Sequence, residues 1–186
     1  MANCKLTKSL NGKACDYHLS GVETAFLLNY YPPVVGSASV VGSIAYEFDE
    51  NDVITGIFPP TGETFFELKN EENTLSFSDE LFEGANLAKY RQHTFNGILN
   101  QLDVDVLNQG DALSLGKFVV VVKDNAGRIL VLGRTNGLKA PAGGFNYASG
   151  TASADSAAWT LILQGVSKEI SKMVESIAVV TPIWAD

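Results

Sequence analysis

The stretch GKFVVVVKDNAGRILVLGRTNGL, Gly116 to Leu138, decides the fold. Its four consecutive valines give FVVVVK, Phe118 to Lys123, no polar face. A strand apolar on both faces must be covered on both, as in the middle of a sandwich or a closed barrel. Asp124-Asn125-Ala126-Gly127 reads as a turn, because Asn and Gly tolerate positive φ. Gly127 suits the left-handed position of a short hairpin loop. RILVLG, Arg128 to Gly133, returns as the second strand, and Gly133 and Asn136-Gly137 break the run.

Before this hairpin the chain reads as short strands separated by turn signals. VETAFLLNYY, Val22 to Tyr31, is rich in strand formers and stops at Pro32-Pro33. IAYEFDE (Ile44 to Glu50) and VITGIF (Val53 to Phe58) alternate about an Asn51-Asp52 turn, and Pro59-Pro60 ends the second. TFFELKN (Thr64 to Asn70) and TLSFSDELF (Thr74 to Phe82) read as a further strand pair turning at Asn70 to Asn73. In the latter, Leu75, Phe77 and Asp79 share one face, and Ser76, Ser78 and Glu80 the other. KYRQHTFNGILNQL, Lys89 to Leu102, partly fits a helix. Thr94, Phe95 and Ile98 favour strand, however, and Asn96-Gly97 is costly inside a helix, so a long strand is expected.

LDVDVLNQGDAL, Leu102 to Leu113, is the best helix candidate. Asp103 or Asp105 can cap its start, Leu102, Val106 and Leu113 fall near one face, and Gly110 is placed to end it. Past the hairpin, residues 139–158 are small and nearly uncharged and read as a long loop. WTLILQG, Trp159 to Gly165, is a strand. A short helix over Lys168 to Val174 fits the spacing of Ile170, Met173 and Val174, and the tail ends in a β-rich run.

Together these readings give a mainly β fold: a β-sandwich or barrel-like single domain, residues 1–186, of nine or ten short strands with one short flanking helix. Residues 1–16 are expected to form an arm or a first short strand. Hydrophobic residues at 46% against 18% charged make global disorder a poor reading. The net charge of −8 argues against a nucleic-acid clamp or an anionic membrane surface as partner. It is compatible with a wall that repels DNA and lets it slide. No apolar run reaches signal-peptide or membrane-spanning length, so synthesis and folding in a cytosol are expected. Cys4 and Cys15 read most simply as reduced thiols, with a disulfide formed outside the cell as the alternative.

Reactive chemistry is sparse. GDALSLGKF, Gly110 to Phe118, misses the phosphate-loop spacing. Phe118 stands where a magnesium-binding hydroxyl is needed, and a strand follows where a helix should begin. Asp103-Val104-Asp105 suits a helix start better than a metal. Glu47, Asp49, Glu63, Glu67 and Asp79 offer no selected pair for glycosidic chemistry. His18 and His93 read as plain surface or interface histidines, and neither cysteine pairs convincingly with them. Tyr30-Tyr31-Pro32-Pro33 and Phe65-Phe66 are expected to divide between core and edges. The chain is therefore read as no enzyme, with no catalytic, cofactor-binding or metal residues and no cofactor.

Val122-Lys123-Asp124, Leu132-Gly133, Asn136-Gly137-Leu138, Ser149-Gly150-Thr151-Ala152, Asp155 and the strand Thr160 to Gly165 stand in an order that resembles a divergent group of tailed-phage and prophage structural proteins. That group is similar to major tail, or tail-tube, proteins. The strand and helix of Tyr90 to Leu113 sit where the group carries such a pair, and Cys4 and Cys15 fit the same group. The match covers roughly residues 90–165, while 31–70 show none. The resemblance implies a tail-tube-like β subunit that self-associates into rings, commonly hexamers, which stack into a DNA-conducting tube. Each subunit would give a long hairpin to an inner barrel. It implies a virion location after synthesis in the bacterial host cytoplasm, contacts with other virion proteins, only transient passage of DNA, and no membrane.

Interfaces are expected at Tyr31 to Ser43, Pro59 to Thr64 and Ala140 to Ala154. The rival reading is a carbohydrate- or protein-binding β-sandwich, such as a head decoration protein. Tyr30, Tyr31, Phe145 and Tyr147 exposed and gathered around one shallow groove would favour it. A third reading is an enzyme such as an acid-pair glycosidase, which two strand carboxylates converging in a deep pocket would favour.

Overall fold

The structure is a computed structural model and describes residues 21–68, 74–84, 88–100, 104–149, 158–180 and 184–185. The expected arm, both cysteines, His18, Asp103 and the motif positions 150–155 lie outside the described residues. In chain order the strands are β1 (Val22–Asn29), β2 (Pro33–Val35), β3 (Ile44–Phe48), β4 (Ile54–Phe58), β5 (Phe65–Leu68), β6 (Leu75–Glu83) and β7 (Lys89–Asn100). The helices α1 (Val104–Asn108) and α2 (Gly110–Leu115) follow. Then come β8 (Phe118–Asp124), β9 (Ile129–Leu132), β10 (Phe145–Ala148), β11 (Ala158–Ser167), β12 (Lys172–Val174), a 3-10 turn (Ile177–Val179) and β13 (Trp184–Ala185). The fold is mainly β, in two sheets.

The valine run is the centre of the larger sheet, ordered β13-β5-β1-β8-β9-β12-β4-β3-β2. β8 is antiparallel to both neighbours, with Leu27 opposite Val120 and Val121 opposite Val131. Alternation sends Val120 and Val122 to one face and Val119 and Val121 to the other, and all four are fully buried. Burying each one contributes about 1.5–3 kcal/mol before entropy is counted. The turn after β8 forms as its residues dictate: Gly127 takes φ 80°. Asp124 Oδ1 accepts from the Arg128 N–H at 2.7 Å.

Two cores lie on the two faces of β8. Val120 and Val122, with Ala25, Leu27 and Leu132, pack against the second sheet. Val119 and Val121 pack with Phe26, Ile44, Tyr46, Ile54 and Ile57. Ile44 and Tyr46 belong to β3, four strands from β8 in the same sheet. Ile129 and Val131 of β9, Val174 of β12 and Ile54 and Ile57 of β4 link them to the valines, so this core runs continuously across one face of the large sheet while the other face forms a sandwich with the small sheet.

The smaller sheet runs β10-β11-β7-β6, antiparallel throughout. Residues 89–100 form the long strand expected, with Phe95 and Leu99 turned into the first core beside Leu75, Leu161 and Leu163. The chain crosses between sheets at Leu138 and Lys139, which bridge Phe118 of the large sheet and Gln164 of the small one.

Four local expectations are corrected. The single helix ending at Gly110 is two short helices, and Gly110 opens the second. Phe145 packs there so closely that a Cβ on Gly110 would stand 3.3 Å from its ring. Val106 and Leu113 still share the buried side. The strands after Pro60 do not pair with each other: β5 joins β1 and β13, and β6 joins β7. Phe65 belongs to the second core and Leu75 to the first, so the two runs serve opposite faces of the large sheet. The 139–158 segment holds a strand, β10, because Phe145 stacks on Trp159 across the β10–β11 pair at 4.7 Å. Residues 168–174 form no helix. β12 pairs with β9 and β4 there, burying Val174 while Ile170 and Met173 stay exposed. Thirteen strands among the described residues exceed the nine or ten expected, because β2, β12 and β13 have at most three residues each.

Candidate functional site

Polar side chains in this fold gather mainly where the two sheets meet. His93, on the inward face of β7, is 1% exposed. Its Nδ1 accepts a hydrogen bond from the Gly133 N–H at 3.1 Å. Its Nε2 stands 3.4 Å from Asp79 Oδ1. Asp79 in turn accepts from Arg91 Nε and from the Ser171 N–H and hydroxyl, at 2.5, 2.9 and 3.0 Å. Beside this cluster Arg134 donates two 2.6 Å bonds to Glu169, and Asn136 donates to the Val166 carbonyl at 2.8 Å. The loop after β9 is thus tied to the end of β11 and, through His93, to β7.

Burial pushes the His93 imidazole below its ordinary range, and the Asp79 charge opposes this incompletely. Partial burial pushes the Asp79 carboxyl up. Hydrogen bonds from the Ser171 backbone and hydroxyl and from Arg91, together with nearby His93, outweigh that and hold it below its usual range. The surface or interface reading of His93 is therefore corrected. An even number of steps along β7 from Phe95 and Leu99 places it on the core face, a signal that its polar flanks Gln92 and Thr94 obscured. Enclosed and saturated at Nδ1, this histidine fixes the two sheets to each other.

The candidate carboxylates are tied to separate partners. Asp49 accepts from the Asn51 and Val53 N–H groups, both at 2.8 Å, and holds its own turn. Glu63 accepts from Asn29 and the Tyr31 hydroxyl at 2.9 and 2.8 Å. Asp79 belongs to the joint. Two shallow grooves of about 370 and 210 Å3 open on the small sheet, and neither is lined by a carboxylate. Among the described residues no three of His, Cys, Asp or Glu gather as metal ligands. The aromatic residues also divide. Phe145 and Tyr147 lie against Trp159 beside the first core. Tyr30 and Tyr31 border the second, where Tyr30 donates to the Thr135 carbonyl at 2.7 Å. Phe65 is buried and Phe66 half-exposed, the division expected of them.

Of the expected interface segments, 31–43 carries β2, the last strand of the large sheet, and exposes Val35, Val40 and Val41. Segment 59–64 begins with two buried prolines and exposes only Thr61 and Gly62 strongly. The described part of 140–154 contains β10, the last strand of the small sheet.

The small sheet is the more distinctive surface. Pairing places Ser76, Ser78, Glu80 and Phe82 of β6 on its outer face with Tyr90, Gln92, Thr94, Asn96 and Ile98 of β7. Thr160, Ile162, Gln164 and Val166 of β11 and Asn146 and Ala148 of β10 complete it. Within the four strands this face carries hydroxyls, amides, aliphatic groups and the stacked rings of Phe82 and Tyr90, one carboxylate (Glu80) and no cation. Both outer strands, β6 and β10, end the sheet and so present a row of backbone donors and acceptors without a strand partner. Sequence reading identified the Ser76, Ser78, Glu80 alternation but not that its strand is an edge, because edge position depends on pairing across the chain.

Comparison with protein-family models, curated proteins and solved structures finds no match for this chain.

Proposed function

We propose that this protein is a structural virion subunit that self-assembles, through the small sheet, into a ring of a phage tail tube or a related tail or neck structure that conducts DNA. One observation carries the reading: a four-stranded sheet with two unpaired edges and an outer face without a single basic residue in its strands. The strands of such a face give phosphates no cation to bind, and the one lysine beside them, Lys139, is matched in number by the one carboxylate, Glu80, so the face neither clamps DNA nor holds it. By the resemblance each tail-tube subunit gives a long hairpin to an inner barrel; the Gly116 to Leu138 hairpin, the candidate in the sequence for that wall, is buried inside the large sheet, and the long β6–β7 hairpin is the one we assign to it. Joining edges removes the exposed backbone groups that otherwise invite uncontrolled pairing. The polar joint at His93 supports the reading, since a wall must be held at a fixed angle to the body of its subunit. No described group of side chains supports an enzymatic role, and the separated aromatic residues give the binding-module reading no groove.

Electron microscopy and size-exclusion light scattering across a concentration series test this. Rings or tubes with a concentration-dependent mass are expected. A strict monomer at high concentration, with no ring or tube, overturns it.

A further inference from the structure

Resting on the ring reading, in which the β6 edge of one copy meets the β10 edge of the next, we infer that Glu80 of the first copy pairs with Lys139 of the second. Three observations lead there.

The first is strand direction. The four strands alternate, so β10 and β6 run in opposite senses. A second copy in the same orientation therefore presents its β10 antiparallel to the first copy's β6. The sheet continues without a break in its alternation, however many copies are added. An even strand count is what permits this, and repetition by rotation about one axis closes a ring.

The second is charge. Beyond the strand pair, Asp79 is satisfied within the joint, and Glu83 lies near Lys89 at 3.7 Å. Glu80 is exposed and has no ion pair among the described residues. At the other edge Lys139, bridged to Gln164 next to β10, is also exposed and has none. An isologous contact is the obvious rival. It would place β6 against β6, with Glu80 and Glu83 facing their own copies, or β10 against β10, with Lys139 facing Lys139. Both bring like charges together in a chain of net charge −8. Head-to-tail contact alone brings opposite charges together.

The third is register. Lys139 stands in the row of Gln164, Thr94 and Ser78, and Glu80 stands in the next row, with Val166 and Gln92. The two lie on the same face, two residues apart along the strands, about 7 Å. A lysine stem spans that offset, and a closed sheet requires its strands to be staggered.

The test uses the two charge reversals, E80K and K139E, on the full chain. Both positions are exposed, and circular dichroism checks that each variant folds. Measured by light scattering and electron microscopy at low salt, each variant alone should associate about tenfold or more weakly than wild type, because every junction then holds like charges. An equimolar mixture should recover rings, because alternating copies restore an opposite pair at each junction. The loss in each variant alone should shrink at high salt. Variants that assemble as wild type does, or a mixture that fails to recover, overturn the pairing while leaving the ring reading intact. A wild-type chain that makes no rings overturns both.

Discussion

The Nδ1 of His93, in the small sheet, accepts its hydrogen bond from the backbone N–H of Gly133, at the end of a strand in the large one. An acceptor nitrogen carries no proton, so this bond exists only in the neutral imidazole. Burial also disfavours the charged form, placing the folded pKa below the ordinary imidazole value of about 6.5. As pH falls below about 6.5 the unfolded chain takes up a proton that the folded chain resists. Stability is therefore fully present above that pH and declines below it. Urea midpoints should fall between pH 7.5 and 5.5 in wild type. In His93→Gln, whose amide oxygen can still accept, this contribution to the slope should vanish. Asp79, held below the usual carboxylate range, adds a separate loss only at lower pH. Equal slopes in wild type and variant would refute this account.

Arg134 and Glu169, with side chains 15% and 21% exposed, form the firmest charged contact of the joint. Arg134 also lies over the Tyr46 and Phe48 rings, at 5.5 and 5.4 Å. Arg134→Ala should cost about 2–3 kcal/mol, because it strands a half-buried carboxylate. The Lys123–Glu23 pair, with side chains 29% and 49% exposed, is a control. Its double-mutant cycle should give under about 1 kcal/mol. Denaturant unfolding measures both, and equal coupling in the two pairs would contradict the difference in burial.

Gly127 and Gly133 both have positive φ, 80° and 72°, but unequal space. Nothing stands within 4 Å of a Cβ at Gly127, whereas one at Gly133 would meet Leu138 Cγ at 2.8 Å. Gly127→Ala should cost about 1–2 kcal/mol, the backbone term alone. Gly133→Ala should add overpacking of about 1–3 kcal/mol. Thermal unfolding orders the two, and a milder Gly133→Ala would be the failing result.

Tyr46 is fully buried, and its hydroxyl finds no hydrogen-bond partner among the described residues. Burial drives its pKa well above the ordinary tyrosine value. Tyr46→Phe removes a desolvated group and keeps the ring under Arg134. It should leave stability unchanged or raise it by up to about 2 kcal/mol. A fall of more than about 1 kcal/mol in chemical denaturation would count against this.

What could be read from the sequence was local. Phe118 to Val122 declared a strand covered on both faces, and Asn125 to Gly127 its turn, because both depend on neighbours in the chain. Lys89 to Asn100 was legible because Asn96-Gly97 disfavours a helix. The separation of β5 from β6 was hidden, since Phe65 and Leu75 look alike as apolar positions and differ only in which core receives them. Residues 168–174 have the spacing of a helix, yet Val174 fills a gap beside Ile129 and Ile54 that no local pattern announces. The proposed assembly surface was half visible. The alternation placing Glu80 outward is plain, but its partner Lys139 lies in a different segment, and only pairing through β7 and β11 puts them at opposite edges.

The pairing of β1 with β8 has a consequence for how the chain is made. Leu27 faces Val120 across a gap of roughly ninety residues of sequence. Contacts so distant along the chain form slowly, because a long loop must close first. During synthesis Phe26, Leu27 and Leu28 leave the ribosome well before the valines that will cover them. β5 can join one edge of the first strand early, but the other edge must wait, sticky and uncovered, until the second half of the molecule arrives. Crowding many nascent copies together would favour aggregation over orderly growth.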